Sequence, residues 1–205
     1  MVAIVDYGMG NLRSVQKAFE RIGAEAEITS DPRAVIAADR LVLPGVGAFG
    51  AAMEGLRQRD LIEPILSFLE SDKPFLGICL GLQLLFDESD EGSEPCPGLG
   101  VIPGRVARFE DSPDFKVPHM GWNQVIAQKQ SPLLEGVDDG SWFYFVHSHY
   151  VIATRQDDVL LETDYTSNFC SAIAHGSIFA TQFHPEKSQH GGLRLLKNFA
   201  TFSSR

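Results

Sequence analysis

The sequence has few cysteines, no long apolar run and a shortage of basic residues, and each absence excludes a class of protein. Its three cysteines, Cys79, Cys96 and Cys170, are too few and too widely spaced for a disulfide framework or a zinc site. No apolar run reaches the roughly 18 residues that cross a bilayer. Seventeen basic residues against 27 acidic ones give a net charge of −10, so we expect neither nucleic acid nor a membrane surface as partner.

The start of the chain also lacks the features of a secretory leader. Residues 1–6 contain no basic stretch, no long apolar core and no cleavage site, so we expect a cytoplasmic protein with reduced cysteines. The composition is that of a globular protein, with 44% hydrophobic and 21% charged residues. Because 205 residues contain no repeat and no low-complexity linker, we expect one domain spanning residues 1–205.

Short apolar segments alternate with helical patterns in the first half of the chain. That alternation predicts parallel βαβ units in an α/β fold with three layers, αβα, and strands covered on both faces. The predicted strands are 2–6, 24–29, 41–43 and 74–78. Helices are predicted at 12–22, with Asn11 as N-cap, and at 80–86. A short helix is predicted to start at Pro32, and a further one to reach residue 69 with an interruption near Pro64.

The second half of the chain is richer in strands. Residues 87–100 are acidic and contain several glycines and prolines, which predicts a surface loop, and Gly176 predicts a tight hairpin. We therefore expect a mixed, mostly parallel sheet with an antiparallel, strand-rich second half. The predicted strands here are 101–109, 123–127, 143–151, 159–163, 169–175 and 177–183, followed by a helix at 191–202.

Cys79 stands in the most informative string, Gly77-Ile78-Cys79-Leu80-Gly81. An apolar strand runs into Gly-x-Cys-x-Gly and a helix follows, which is the nucleophile-elbow pattern with cysteine in place of serine. Small residues on either side let strand and helix approach, and the helix N-terminus favours a thiolate. The N–H of Leu80 is placed to help hold an oxyanion. The alternative is a buried cysteine between two packing glycines.

A base and its orienting carboxylate are predicted at His184-Pro185-Glu186, directly after an apolar strand. In an extended segment His184 and Glu186 point to the same side, and Pro185 keeps the path extended. Elbow and base both follow the carboxyl ends of predicted strands, where open α/β sheets build their sites. The pair His147 and His149 could instead form part of a metal site, but no third ligand with suitable spacing follows, so we predict no metal.

A glycine loop, Pro44-Gly45-Val46-Gly47, follows the strand at 41–43. Its backbone N–H groups can point into a pocket without obstruction by Cβ atoms, which suits an oxyanion donor or a clamp on a small substrate. No Gly-Lys-Ser/Thr follows, so the loop is not a Walker phosphate loop.

Together the three strings resemble the class I (triad) glutamine amidotransferase family, which has a flavodoxin-like fold, over nearly the whole chain. Further strings are similar to one subfamily, the glutaminase subunits of imidazole glycerol phosphate synthases in histidine biosynthesis. Those strings are Asp6-Tyr7-Gly8-Met9-Gly10-Asn11-Leu12, Pro118-His119-Met120-Gly121-Trp122-Asn123, Tyr144-Phe145-Val146-His147-Ser148 and Gln182-Phe183-His184-Pro185-Glu186-Lys187-Ser188.

The resemblance implies a cofactor-free reaction. Cys79 attacks the side-chain amide of L-glutamine, and His184, oriented by Glu186, moves the protons. Ammonia leaves a γ-glutamyl thioester, which water converts to glutamate. The resemblance also implies further roles: oxyanion donors Val46 and Leu80; glutamine contacts Gly45, Gly47, Gln83, His147, Ser148 and His149; and partner contacts Asn11, Trp122 and Lys187. Many relatives carry tyrosine at position 149, so there we expect a backbone role.

A partner is expected because ammonia released into water is protonated and lost. The chain shows neither the eightfold strand–helix repeat of a barrel nor a nucleotide-binding motif. The resemblance implies a heterodimer with a (β/α)8 cyclase subunit, which uses the ammonia to make imidazole glycerol phosphate and AICAR. Two alternatives stay open: the glutaminase subunit of another synthase, for anthranilate or pyridoxal phosphate, and a non-catalytic regulatory protein of the same fold.

Overall fold

The computed structural model describes residues 1–111 and 113–203, and these contain six α-helices and fourteen β-strands. The helices are α1 Leu12–Arg21, α2 Pro32–Ala37, α3 Phe49–Gln58, α4 Ile62–Glu70, α5 Leu80–Gln83 and α6 Gln189–Thr201. The strands are β1 Val2–Val5, β2 Ala26–Thr29, β3 Arg40–Gly45, β4 Phe75–Cys79, β5 Phe86–Ser89, β6 Cys96–Pro97, β7 Ile102–Arg108, β8 His119–Gln124, β9 Ile126–Ala127, β10 Trp142–His147, β11 His149–Ala153, β12 Val159–Asp164, β13 Asn168–His175 and β14 Ile178–Thr181.

Twelve of these strands form one mixed sheet, as predicted. Its parallel part has the order β2-β1-β3-β4-β14, and β13, β11, β7, β5 and β6 continue it. Off this path, β12 pairs with β13 and with β9. Pairing in the continuation is antiparallel except between β5 and β7. Strands β8 and β10 pair separately as a two-stranded antiparallel ribbon. The ribbon therefore lies outside the hydrogen-bond ladder that carries the elbow.

The side chains of β1 show why the fold has three layers. Ala3 and Val5 pack in a core with residues of α2, α3 and α4, whereas Val2 and Ile4 pack in a second core with residues of α1 and α6. Successive strand residues point to opposite faces, so both faces are covered by helices. This confirms the predicted three-layer α/β class.

Two predicted helical boundaries are wrong. The helix expected to break near Pro64 breaks earlier, at Asp60, which has a φ of 53°; Pro64 lies in the first turn of α4, where its missing N–H costs no helical hydrogen bond. The helix expected over 80–86 ends at Gln83, because residues 84–86 turn into β5, which pairs with β7. The first interpretation failed because proline is tolerated in the first turn of a helix, and the second because buried apolar residues suit either conformation.

Strand boundaries in the second half also differ. The predicted surface loop 87–100 contains the β5–β6 hairpin, and the predicted strand 123–127 divides into β8 and β9. The predicted strand 143–151 breaks at Ser148, so β10 belongs to the ribbon and β11 to the main sheet. The hairpin at Gly176, which has a φ of 57°, is confirmed. No helix within the described ranges is long and apolar enough to cross a bilayer.

Candidate active site

Cys79 occupies a sharp turn between β4 and α5, with φ 56° and ψ −107°. L-residues rarely adopt this conformation, and it persists only where the surroundings enforce it. A Cβ atom at Gly81 would overlap the carbonyl oxygen of Leu43, and one at Gly77 would lie 2.6 Å from the carbonyl oxygen of Gly81. The two glycines thus allow the close strand–helix approach that presents Cys79 at the start of α5.

His184 and Glu186 form a buried hydrogen-bonded pair, with 2.8 Å between His184 Nδ1 and Glu186 Oε1. Their side chains are 3% and 2% exposed. The expectation of an extended path through Pro185 is wrong, because Pro185–Lys187 forms a 3-10 turn. The turn is fixed to β10: His184 N–H donates to the Tyr144 carbonyl, and Tyr144 N–H donates to Ser188 Oγ.

The environment of His184 favours its charged form. Burial lowers the pKa of His184, but the Cys79 sulfur and the Glu186 carboxylate outweigh burial and raise that pKa to about 9. Its Nε2 is buried and makes no well-formed hydrogen bond to any described residue. That nitrogen is therefore available for proton exchange with a group bound at Cys79.

A cavity of about 400 Å³ opens above the elbow. Its wall also contains Glu91, Pro118 and Val146, which the sequence did not single out. Gly45 is not on the wall: it lies in β3, where a Cβ atom would overlap the hydroxyl of Tyr7, so its small size serves packing. Eight of the predicted site residues line the cavity: Val46, Gly47, Cys79, Leu80, Gln83, His147, Ser148 and His149.

Gln83 is largely engaged within the protein. Its Nε2 donates to the His149 carbonyl and to Gln182 Oε1, both at 3.0 Å. Gln182 Nε2 in turn lies 3.7 Å from Cys79 Sγ. Because both hydrogens of the Gln83 amide nitrogen are used, only its Oε1 can serve a ligand in the cavity.

His147 and His119 extend the hydrogen-bond network of Gln83 from the cavity wall into the protein interior. His147 Nδ1 donates to the His149 carbonyl at 2.8 Å, so its Nε2 accepts from His119 Nδ1 at 2.9 Å. Asn123 Nδ2 donates to His119 Nε2 at 3.2 Å. Burial lowers the pKa of His147 to about 3 and that of His119 to about 4, and both rings are neutral at pH 7.

These contacts bear on the alternative of a metal at His147 and His149. Both ring nitrogens of His147 are engaged, and β10 ends at His147 before β11 begins at His149, so the two residues do not share one strand face. Among residues 1–111 and 113–203, no group of three or more His, Cys, Asp or Glu could hold a metal ion.

Comparison with known proteins decides the family. The model of the family "Glutamine amidotransferase class-I" matches residues 3–201. The chain belongs to this family. It is therefore a glutamine amidotransferase, and the elbow, the buried histidine–glutamate pair and the cavity are its candidate active site.

Curated relatives resemble this amidotransferase over its whole length. It is 54% identical over 204 residues to the imidazole glycerol phosphate synthase subunit HisH of Syntrophotalea carbinolica, which covers 97% of this chain and 98% of the relative. It is 57% identical over 201 residues to the subunit of the same name from Rhodopirellula baltica, covering 98% and 97%.

Solved structures share the amidotransferase's fold. One described as a glutamine amidotransferase matches with a TM-score of 0.72 at 21% identity, over 98% of this chain and 100% of the other. The structure of PurLQS from Thermotoga maritima matches with a TM-score of 0.75 at 18% identity, over 97% and 96%. At such identities the likeness concerns the fold alone.

Glu91 is the charged residue on the cavity wall that sequence reasoning missed. Its carboxylate lies on the cavity wall, and Glu91 Oε2 accepts a 2.7 Å hydrogen bond from Phe49 N–H at the start of α3. The sequence offered only an acidic loop, because the turn that brings Glu91 back over the cavity depends on the β5–β6 hairpin.

The predicted partner contacts divide into two places. Trp122, 43% exposed on β8, lies edge-on to Tyr144 with ring centroids 6.2 Å apart, and Lys187 Nζ lies 5.8 Å from the centre of the Tyr144 ring. Asn11 is exposed in a separate depression beside Gly10. It stands at the N-cap position of α1, but its side chain makes no capping hydrogen bond.

Proposed function

We propose that this chain is the glutaminase subunit of an imidazole glycerol phosphate synthase. The observation that carries the proposal is the buried His184–Glu186 pair beside a cysteine held in a strained elbow at the wall of one cavity. Identities of 54% and 57% to subunits of that synthase, over nearly the full length of both chains, support the choice within the family.

In the first half of the reaction, the Cys79 thiolate attacks the side-chain amide carbon of L-glutamine. The N–H groups of Leu80 and Val46 hold the oxyanion that develops on the amide oxygen. His184, charged as its pKa of about 9 allows, gives its Nε2 proton to the leaving nitrogen. The C–N bond breaks, ammonia departs, and a γ-glutamyl thioester remains on Cys79.

In the second half, His184 is neutral and takes a proton from water. The hydroxide adds to the thioester carbon, the C–S bond breaks, and the Cys79 thiolate and the charged imidazole are restored. The new γ-carboxylic acid gives its proton to solvent as glutamate leaves. Glu186 accepts the Nδ1–H bond throughout. It thus fixes the ring orientation and stabilises the charged form in both halves.

The cavity suits the amino-acid end of glutamine. The Glu91 carboxylate gives the substrate ammonium a partner of opposite charge, and Gln83 offers its Oε1 as a further acceptor. Gly47, with a φ of 97°, and residues 147–149 bring backbone polar groups to the wall. No cofactor or metal takes part.

The ammonia acceptor is a (β/α)8 cyclase subunit, which makes imidazole glycerol phosphate and AICAR. We place its docking surface on the β8–β10 ribbon, where Met120, Trp122 and Trp142 are 63%, 43% and 55% exposed. Large apolar side chains exposed together mark interaction sites. All three cysteines are unpaired, which suits the reducing cytoplasm in which we place the heterodimer.

The test combines labelling and turnover in the complex with the cyclase. An electrophilic glutamine analogue should react with Cys79 and raise its peptide mass by one equivalent of bound analogue. The reaction should be faster with the cyclase present than without it. Cys79→Ala should bind the cyclase but lose glutamine hydrolysis by about 10⁴–10⁶-fold, whereas Cys96→Ala should be active. Near-normal hydrolysis by Cys79→Ala, or ammonia transfer only to an anthranilate or pyridoxal phosphate synthase, would contradict the proposal.

A further inference from the structure

We infer that Gln182 is a further catalytic residue, whose side-chain amide donates a hydrogen bond to the reacting sulfur of Cys79. Gln182 lies just beyond β14 and is fully buried. Its Nε2 lies 3.7 Å from Cys79 Sγ, within the range of an N–H···S hydrogen bond. The inference rests on the proposed function, because the role of the contact is to stabilise the thiolate that attacks glutamine.

The orientation of the Gln182 amide is fixed by its neighbours. The His149 carbonyl can only accept, so the Gln83 atom 3.0 Å from it is the amide nitrogen. That same nitrogen lies 3.0 Å from Gln182, which must present its oxygen there. Gln182 is thereby forced to turn its Nε2 toward Cys79. The His149 carbonyl therefore fixes donor and acceptor in three successive hydrogen bonds, which run through Gln83 and Gln182 to the sulfur of Cys79.

A donor at this place acts on the charge of the sulfur. A hydrogen bond to an ionised acceptor is roughly twice as strong as one to a neutral acceptor, so Gln182 favours the thiolate over the thiol and over the thioester. The amide does not ionise, and it still donates after His184 has given its proton to the leaving nitrogen. Gln182 therefore stabilises the thiolate as it reforms in the hydrolysis of the thioester.

The neighbouring Thr181 provides a matched control. It is as buried as Gln182, and its Oγ1 donates to the Phe183 carbonyl at 3.0 Å, so it takes part in a local hydrogen bond without touching the sulfur. Thr181→Val removes a buried hydrogen bond from the same segment. Gln182→Met removes the donor without adding a charge and keeps the side-chain length. Gln182→Glu, when ionised, also removes the donor and keeps the acceptor for Gln83, but it places a negative charge beside the sulfur.

The experiment follows alkylation of Cys79 by iodoacetamide against pH in the complex with the cyclase, with peptide masses separating Cys79 from Cys96 and Cys170. We expect the midpoint of the Gln182→Met profile to move to higher pH by about one unit, and that of Gln182→Glu to move further because its carboxylate repels the thiolate. In both variants kcat should fall about 10–100-fold or more with little change in KM. Thr181→Val should keep the wild-type midpoint. Wild-type profiles in folded Gln182 variants would overturn the inference.

A measurement on the wild-type complex tests the same inference if the Gln182 variants fail to fold. The side-chain N–H signal of Gln182 should move with pH at the midpoint of Cys79 alkylation, and an unmoved signal would overturn the inference. Alkylation requires no turnover, so the two proposals fail differently. A wild-type complex without glutaminase activity contradicts the proposed function, whereas an active complex with an unmoved Gln182 signal contradicts only the role of Gln182.

Discussion

His119 donates a hydrogen bond to His147, with 2.9 Å between Nδ1 of the first ring and Nε2 of the second. The two residues face each other in the register of β8 and β10. The chain Asn123–His119–His147 ends on the His149 carbonyl, which also accepts from Gln83. One backbone oxygen therefore joins the ribbon to the wall of the cavity above Cys79, and both rings must be neutral for this hydrogen-bonded chain to form.

The buried histidine pair predicts a loss of stability in mild acid. Burial depresses the pKa of His147 to about 3 and of His119 to about 4, below the unfolded value of about 6.5. Between about pH 6.5 and 4 the unfolded chain binds more protons, so stability falls as pH falls. Two extra protons give a slope of up to about 2.7 kcal/mol per pH unit.

Urea unfolding at a series of pH values measures this slope. The double variant His119→Gln/His147→Gln should show a flatter dependence between pH 6.5 and 4, whatever its stability at pH 7. The exposed His190 is the matched control, and His190→Gln should keep the wild-type slope. An equal slope in the double variant would show that these two rings are not the source.

Gly81 is predicted to be indispensable for the elbow. A Cβ atom there would overlap the carbonyl oxygen of Leu43 in the neighbouring strand, and a backbone oxygen cannot move aside cheaply. We expect Gly81→Ala to lower the free energy of unfolding by roughly 3 kcal/mol or more. Gly50 lies on helix α3, and the new Cβ of Gly50→Ala would lie 3.8 Å from Cys96 Sγ, an ordinary contact. There we expect stabilisation of roughly 0.5–1 kcal/mol. Thermal denaturation of both variants checks the contrast.

The first half of the fold could be predicted because glycine and proline mark the ends of many of its helices and strands. Gly8 and Gly10 follow β1, and an apolar run without alternation indicates a strand covered on both faces. The predicted end of the third strand at residue 43 is wrong, because Pro44 and Gly45 still pair with β4. The elbow and the His184–Glu186 pair could be predicted for a similar reason, since each is a short local string. Prediction failed where the partner of a segment decides its structure, as at residues 84–86.

The rest of the site depends on contacts between distant segments. The stretch 143–151 is rich in aromatic and β-branched residues on both sides of its polar centre, residues 147–149, so it reads as one strand. Pairing with β8 on one side of Ser148 and with β7 on the other divides it. The His119–His147 contact follows from that pairing register, and the position of Glu91 follows from the β5–β6 hairpin. None of these is a property of a local string, so no single-sequence pattern carries them.

Glu186 is predicted to set the pH range of hydrolysis. Its carboxylate is one of the groups that hold the pKa of His184 at about 9, against burial. Glu186→Gln keeps the shape, removes the charge and lowers the pKa of His184, so the charged ring persists only to a lower pH. We expect kcat to fall by roughly 10²–10⁴-fold and the alkaline limb of the pH–rate profile to move to lower pH. A profile displaced toward alkaline pH would contradict this role.

Trp122 is predicted to anchor the cyclase. It stands on the ribbon between the exposed Met120 and the Tyr144–Lys187 pair, and buried tryptophans commonly dominate interfaces. We expect Trp122→Ala to weaken the heterodimer by roughly 2 kcal/mol, about 30-fold in Kd, in calorimetric titration. Ile36→Ala is the control, because Ile36 is 48% exposed on α2, away from the ribbon. If Ile36→Ala weakens binding and Trp122→Ala does not, the docking surface lies at α2 and not on the β8–β10 ribbon.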